Sequence, residues 1–381
     1  MRKSLMSLLL CLFLISPDLS HADEDVNAKE ISASLLADYE TGDIIYSQNL
    51  KEQIEVASIT KVMTYVVAMD EVSKGNVKLD DKVTISEKAS KRGGSSFKLK
   101  PGQVYTLERL LESSMIASAN DSCIAIAEHV SGSEQAFIGL MNKKATELKL
   151  DKTNYVSVNG FPEEGTHNTM STEDILKLTV HTLHKYPQIL KITSKESLID
   201  EERELEFINT NPLLGEVAGI SGFKTGYADN AGYCLISTKE TNGSKLISIV
   251  MGARSEDIRK NKSVELLEGK LVKDFKKSKV LDKRIATDSV VIKDSANGKI
   301  DVYPEGDLYG MVANNKDLSK TINIYDNLQF PVKKGQPIGE VIVKYNNNIK
   351  KVKLVVKEDV KEKSFINTSF FALKNFLAYA F

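Results

Sequence analysis

Ser58-Ile59-Thr60-Lys61-Val62-Met63-Thr64-Tyr65-Val66-Val67-Ala68-Met69 sets a serine and a lysine three residues apart at the head of a segment that is apolar on nearly every side. A helix of that kind belongs in a core. A spacing of three puts the Ser58 hydroxyl beside the Lys61 amine on the opening turn. Backbone N–H groups at a helix start also point toward any oxyanion forming at Ser58. A serine becomes a nucleophile when a neighbouring base takes its proton, so this stretch predicts covalent acyl chemistry run from the edge of a helical core.

Two more short motifs follow in order, Ser118-Ala119-Asn120 and Lys224-Thr225-Gly226. They add a hydroxyl that can relay a proton and a cationic strand that can hold an anion, completing the equipment for acyl transfer through a serine ester. Each motif is weak alone. Ser95-Ser96-Phe97-Lys98 repeats the first, but it sits among Gly93, Gly94, Pro101 and Gly102, a loop context that cannot hold both side chains on one helical face. Ser47-Gln48-Asn49, Ser157-Val158-Asn159 and Ser295-Ala296-Asn297 repeat the second. Order, spacing and local context single out Ser58, Ser118 and Lys224. A structural role competes for the middle motif, since Asn120 or Asp121 would cap the helix that follows.

Residues 31–46 hold two apolar runs about Glu40-Thr41-Gly42-Asp43, which reads as a β-hairpin. Residues 107–130 are helical twice over, with the Ser118 motif at the junction. Two β-rich runs, 232–238 and 246–250, flank Asn242-Gly243, a strong hairpin signal that places Lys224-Thr225-Gly226 on or beside a strand of the same sheet. A last helix runs over about 257–275. Early strands, a helical middle, late strands and a last helix predict an α/β (α+β) domain, a mixed sheet with helices packed on it. Beyond about 279 the texture changes to short alternating runs at 289–292, 321–324, 341–343 and 352–356. Turn signals separate them, which predicts a small all-β domain without a nucleophile, metal cluster or phosphate loop of its own.

The 381 residues suffice for two such domains, and 51 basic against 52 acidic residues leave a formal charge of -1, which gives nucleic acid no electrostatic footprint. Arg2, Lys3, an apolar run over 5–15 and Ser20-His21-Ala22 read as a signal peptide cleaved after Ala22, hence an exported protein. An uncleaved anchor is the competing reading, but the run is shorter than the ~20 residues a spanning helix needs. Cys11 lies inside that run, which argues against lipoprotein processing. Cys123 falls on a predicted helix and Cys234 on a predicted strand; two buried free thiols are favoured, although sequence does not decide whether they meet. At the other end Ile366, Phe370, Leu373, Phe376, Leu377 and Ala380 share one helical face, as in a helix lying in a membrane interface, with a terminal helix docked on the protein's own core as the alternative. The expected division is 1–22 signal peptide, 23–278 catalytic domain, 279–360 β-rich domain and 361–381 amphipathic anchor. His181 and His184 are helical neighbours, but neither they nor His129 and His167 bring a further ligand set, so no metal and no cofactor are expected.

The motifs in their flanks, Val56-Ala57-Ser58-Ile59-Thr60-Lys61-Val62-Met63-Thr64, Gly93-Gly94-Ser95 with Leu99-Lys100-Pro101-Gly102, Ser118-Ala119-Asn120-Asp121-Ser122-Cys123 and Gly222-Phe223-Lys224-Thr225-Gly226-Tyr227, resemble D-alanyl-D-alanine carboxypeptidases, the low-molecular-mass penicillin-binding proteins of serine peptidase family S11. The resemblance spans nearly the whole chain. It departs at Ala119, where the family usually has Gly, and at Ala228, where Thr commonly follows the third motif. It implies a β-lactamase/transpeptidase-like catalytic domain at the periplasmic face of the inner membrane, a peptidoglycan stem peptide as substrate, and β-lactams as covalent inhibitors. Ser58 would attack the carbonyl between two D-alanines, with Lys61 as base once burial and the charge of Lys224 have lowered its pKa. Ser118 would pass a proton to the departing nitrogen, and Asn120 would orient Lys61 and bind the substrate backbone. The Ser58 and Tyr227 N–H groups would hold the oxyanion. Lys224, Thr225 and Gly226 would receive the substrate's carboxylate end. The resemblance adds Arg259 as a carboxylate ligand; a surface helix arginine is the competing reading. A β-lactamase is a rival, but Glu173-Asp174-Ile175-Leu176-Lys177 reads better as a first helical turn capped by Ser171 or Thr172 than as a deacylating glutamate. A noncatalytic wall-binding protein would not need these reactive groups.

Overall fold

The computed structural model describes residues 30–161, 165–241, 244–313, 318–346 and 348–363. The expected signal peptide and membrane-interface helix lie outside the described residues. The hairpin expected at 31–46 forms as β1 (Ala33–Asp38) and β2 (Asp43–Gln48). The buried helix is α1 (Lys61–Ser73), in which every residue from Lys61 to Asp70 is buried. Next come α2 (Leu107–Ile116), α3 (Asn120–Ser131) and α4 (Thr172–Lys185). The late strands are β3 (Ile220–Ala228), β4 (Gly232–Thr241) and β5 (Ser244–Ala253), followed by α5 (Glu256–Glu268).

These strands form one sheet in the order β2-β1-β5-β4-β3. All four pairings are antiparallel. The sheet is therefore mixed in chain origin, early strands beside late ones, and uniform in strand direction. Both its faces are covered. Leu35, Ala37, Ile236, Ile247 and Ile249 face the core built around α1, while Leu36, Leu235, Leu246 and Val250 pack against Leu266 and Leu267 of α5. Two covered faces explain why 246–250 reads as an apolar run and not as an alternation. Each such aliphatic side chain contributes roughly 1.5–3 kcal/mol on burial.

The last helix is shorter than expected. Gly269 turns extended and ends α5, and a Cβ there would lie 2.2 Å from the Glu265 carbonyl oxygen. A single turn over Lys270–Lys273 follows, and then β6 (Phe275–Leu281). The β-rich part continues with β7 (Asp288–Val291), β8 (Lys299–Pro304), β9 (Leu308–Ala313), β10 (Leu318–Ile324), β11 (Pro337–Tyr345) and β12 (Asn348–Val355). Its sheet runs β7-β8-β12-β11-β10, and β6 pairs with β9. Inward residues such as Val341, Val343 and Leu354 form a separate core.

The two parts meet at the β1–β2 turn. Asp43, fully buried, accepts from Met311 N and the Tyr345 hydroxyl, each at 2.9 Å, and ion-pairs with Lys350 at 2.8 Å. Asn348 exchanges two bonds with the Ile44 backbone, both at 3.0 Å.

Candidate active site

Ser58 lies in the 3-10 turn Ala57–Thr60, which runs directly into α1. The residue before it, Ala57, has φ +42, a left-handed conformation that costs a non-glycine residue on the order of 1–3 kcal/mol and persists only where packing enforces it. The enforcement is visible. Gly160, at φ +74, crosses so closely that a Cβ would fall 1.8 Å from the Ala57 carbonyl oxygen. Ser118 also has φ +57, in the turn between α2 and α3.

Lys61 is fully buried, and its Nζ has three neighbours: Ser58 Oγ at 2.7 Å, Asn120 Oδ1 at 2.8 Å and the Asn159 carbonyl at 2.9 Å. Two of these accept only. A neutral amine that donates to Asn120 Oδ1 and to Asn159 O has its lone pair left for the Ser58 hydroxyl proton. Burial pushes the amine down to about 8, and the Arg92 charge adds to the effect against Cys123 and Asp121. Lys224 is held well below its ordinary value, by burial first and the Lys61 charge second, so the two buried amines disfavour each other's charge.

Lys224 reaches the site from β3, where it pairs with Ile236 of β4. Its Nζ donates to Ser118 Oγ at 3.0 Å and to the Thr225 carbonyl at 3.0 Å. The Thr225 hydroxyl bonds that of Thr210. Gly226 abuts the nucleophile's backbone: a Cβ would stand 3.3 Å from Ser58 N and 3.2 Å from Val56 O. The next peptide, leading to Tyr227, therefore borders Ser58. The Tyr227 ring is half-exposed and stacks on Tyr233 at 4.4 Å.

Neither Asn120 nor Asp121 caps α3. Ala119 holds the N-cap position without a side-chain bond, which leaves both side chains for other work. Asn120 donates Nδ2 to the Gly93 carbonyl at 2.8 Å. Asp121 binds the backbone N–H groups of Phe97 and Leu99 and the Ser96 hydroxyl, fixing the glycine-rich loop against α3. The second Ser-x-x-Lys copy is thus a loop anchor, with Lys98 in a left-handed turn.

Arg259 is not a surface arginine. It is 4% exposed, lies over the Tyr233 ring at 5.6 Å, and its Nε has no hydrogen-bond partner among the described residues. Cys123 and Cys234 are free and buried. Glu173 lies in the first turn of α4, where the Ser171 hydroxyl accepts from Asp174 N as a cap. Among the described residues no cluster of three or more His, Cys, Asp or Glu side chains is arranged for a metal ion. Sequence reasoning gave no place in the site to Arg92, Asn159 or Gly160, and quoted Gly93 only as part of the resemblance. Asn159 and Gly93 contribute carbonyls, which any residue type supplies, and Gly160 acts through backbone closeness.

A buried Ser-Lys pair, a second serine on a second lysine, and an antiparallel strand beside the nucleophile define an active-site-serine acyl-transfer enzyme. The chain belongs to the D-alanyl-D-alanine carboxypeptidase family of serine peptidases, S11, whose pattern matches residues 19–255. Residues 270–362 match the C-terminal domain of penicillin-binding protein 5. It is 31% identical to D-alanyl-D-alanine carboxypeptidase DacF of Bacillus subtilis, over 89% of this chain and 88% of that one. Penicillin-binding protein 5 of Haemophilus influenzae superposes with a TM-score of 0.75 at 26% identity, covering 87% of this chain and 98% of the other. Ampicillin-bound penicillin-binding protein D2 of Listeria monocytogenes gives 0.58 at 28% identity, over 63% and 96%.

Proposed function

We propose that this serine D-Ala-D-Ala carboxypeptidase removes the terminal D-alanine from peptidoglycan stem pentapeptides through an ester on Ser58. The observation that carries the reading is the 2.7 Å contact between Ser58 Oγ and a buried Lys61 amine. Lys61 takes the hydroxyl proton as Oγ bonds to the carbonyl carbon between the two D-alanines. The oxyanion is received by the N–H groups of Ser58 and Tyr227, an arrangement that the closeness of Gly226 to Ser58 N supports. Ser118, fed by Lys224, protonates the departing D-alanine nitrogen as its C–N bond breaks. Water then attacks the ester carbonyl; Lys61 returns its proton to Ser58 Oγ as the ester C–O bond breaks, and the water's proton passes through Ser118 to Lys224, which restores both amines.

The substrate carboxylate goes to Lys224, Thr225 and Arg259. A carboxylate beside Lys224 favours its charged form, and a charged Lys224 in turn disfavours a second cation at Lys61. Asn120 orients Lys61 and the substrate backbone. β-Lactams, which present a strained amide beside a carboxylate, acylate the same oxygen. In this reading residues 1–22 are a signal peptide, 23–278 the catalytic domain, 279–360 a β-rich domain that serves as a spacer or a binding module, and 361–381 an amphipathic anchor at the periplasmic face of the membrane. No described helix is long and apolar enough to cross a bilayer.

The test is D-alanine release from a pentapeptide ending in D-Ala-D-Ala. Release that disappears in Ser58→Ala supports the reading; a folded protein that releases none refutes it.

A further inference from the structure

Lys61 donates to two acceptors, Asn120 Oδ1 and Asn159 O, and consecutive residues of the glycine-rich loop hold both. The Gly93 carbonyl takes Asn120 Nδ2 at 2.8 Å. The neighbouring Arg92 guanidinium reaches Asn159 Oδ1 at 3.4 Å and the Phe161 carbonyl at 3.3 Å, and stacks over the Phe161 ring at 5.3 Å. Asn159 Oδ1 also accepts from Phe161 N at 2.9 Å, which closes the 159–161 turn. That turn carries Gly160 against the Ala57 carbonyl. We propose that Arg92 is a positioning residue for acylation, a clasp that fixes the 159–161 turn and places a permanent positive charge beside the base without touching substrate.

The inference rests on Lys61 being the base. Two separable effects follow from the geometry. Arg92 Nη2 bridges Asn159 and Phe161 and so holds Asn159 where its carbonyl keeps the Lys61 lone pair on Ser58. The charge disfavours a second cation at Lys61. The other groups facing Lys61 are Asp121 and Cys123 from α3 and Lys224 from β3. Asp121 favours the protonated amine and a charged Lys224 disfavours it, as Arg92 does; of these cations the guanidinium is the one that stays charged at every working pH.

The experiment measures the second-order rate of Ser58 acylation by ampicillin against pH, by intact mass, in the full chain and in Arg92→Gln, Arg92→Lys and Phe161→Leu. Acylation of the unaltered protein tests the underlying reading by itself. Arg92→Gln is expected to acylate about tenfold more slowly at pH 7, with its acid limb displaced to higher pH. Arg92→Lys restores the limb but not the full rate, since an ammonium keeps the charge and loses the bridge. Phe161→Leu keeps the limb and slows acylation two- to threefold. A wholly structural role lowers the reactive fraction and leaves the limb in place in every variant. An unmoved limb in Arg92→Gln, or, if that variant does not fold, a displaced limb in Arg92→Lys, overturns the proposal.

Discussion

Lys224 Nζ stands 3.0 Å from Ser118 Oγ, so the second serine is tied to the second lysine while Lys61 serves the first. In the proposed reaction, proton removal from Ser58 and proton delivery to the leaving nitrogen thus run through different amines. Ser118→Ala is expected to slow D-alanine release by about 10²–10³, within the usual range for a lost general acid, with the fold intact. Burst kinetics with a chromogenic β-lactam check it; an unchanged burst rate contradicts the assignment.

The pH dependence follows from Lys61. Only its neutral form accepts the Ser58 proton, and burial holds the amine down to about 8. Acylation should therefore rise with pH through an acid limb near 8, to within about a unit, and reach a plateau above it. Stability runs the same way. The folded-state value lies below that of the unfolded chain, so protonating Lys61 disfavours the folded state, and this cost fades as pH rises above about 8. A limb below pH 6, or none, removes Lys61 as the base.

Gly226→Ala tests the strand's closeness to the nucleophile. The added methyl meets Val56 O, Ser58 N and Ile59 N at 3.2–3.3 Å, all of them backbone atoms that cannot swing away. Acylation is expected to fall at least tenfold and stability by roughly 1–2 kcal/mol, the scale of overpacking in a tight site. Urea unfolding followed by circular dichroism, alongside the acylation rate, reads both. Wild-type rates would mean that the strand gives way and that the oxyanion site is not set by this contact.

Much of this site was legible because its chemistry depends on residue type. In the proposed reaction Ser58, Lys61, Ser118, Asn120 and Lys224 act through side chains that few residues can replace, and the structure brings all five together. What sequence could not give is the part made of backbone. Asn159 lies in Ser157-Val158-Asn159, a stretch that matches the second motif by chance, yet it contributes a carbonyl to Lys61. The cap expected at Asn120 or Asp121 failed because a nearby Asp or Asn marks a helix start without saying what its side chain meets. Here the partners are a loop 22–27 residues away in sequence. The hairpins were readable from local turn chemistry; the antiparallel pairing of β1 with β5 joins segments more than 200 residues apart, which no local pattern encodes.

Asp43→Ala probes the junction of the two parts. It removes the buried acceptor of Met311 N and the Tyr345 hydroxyl and the carboxylate partner of Lys350, which keeps the Thr41 carbonyl. Breaking a buried pair costs about 3–5 kcal/mol; Lys350 is partly exposed, so about 2–3 kcal/mol is expected here. Calorimetry should show a lower Tm, with the β-rich part melting ahead of the catalytic part, while D-alanine release at 25 °C is kept. A single transition at the wild-type temperature contradicts this role for Asp43.

The central claim is an acyl-enzyme on Ser58. Brief mixing of the full chain with ampicillin, followed by intact mass and peptide mapping, tests it most directly. One drug mass carried on the peptide containing Ser58, absent in Ser58→Ala and strongly reduced in Lys61→Met at pH 7, is the predicted result. An adduct on another residue, or labelling that persists in Ser58→Ala, would contradict it.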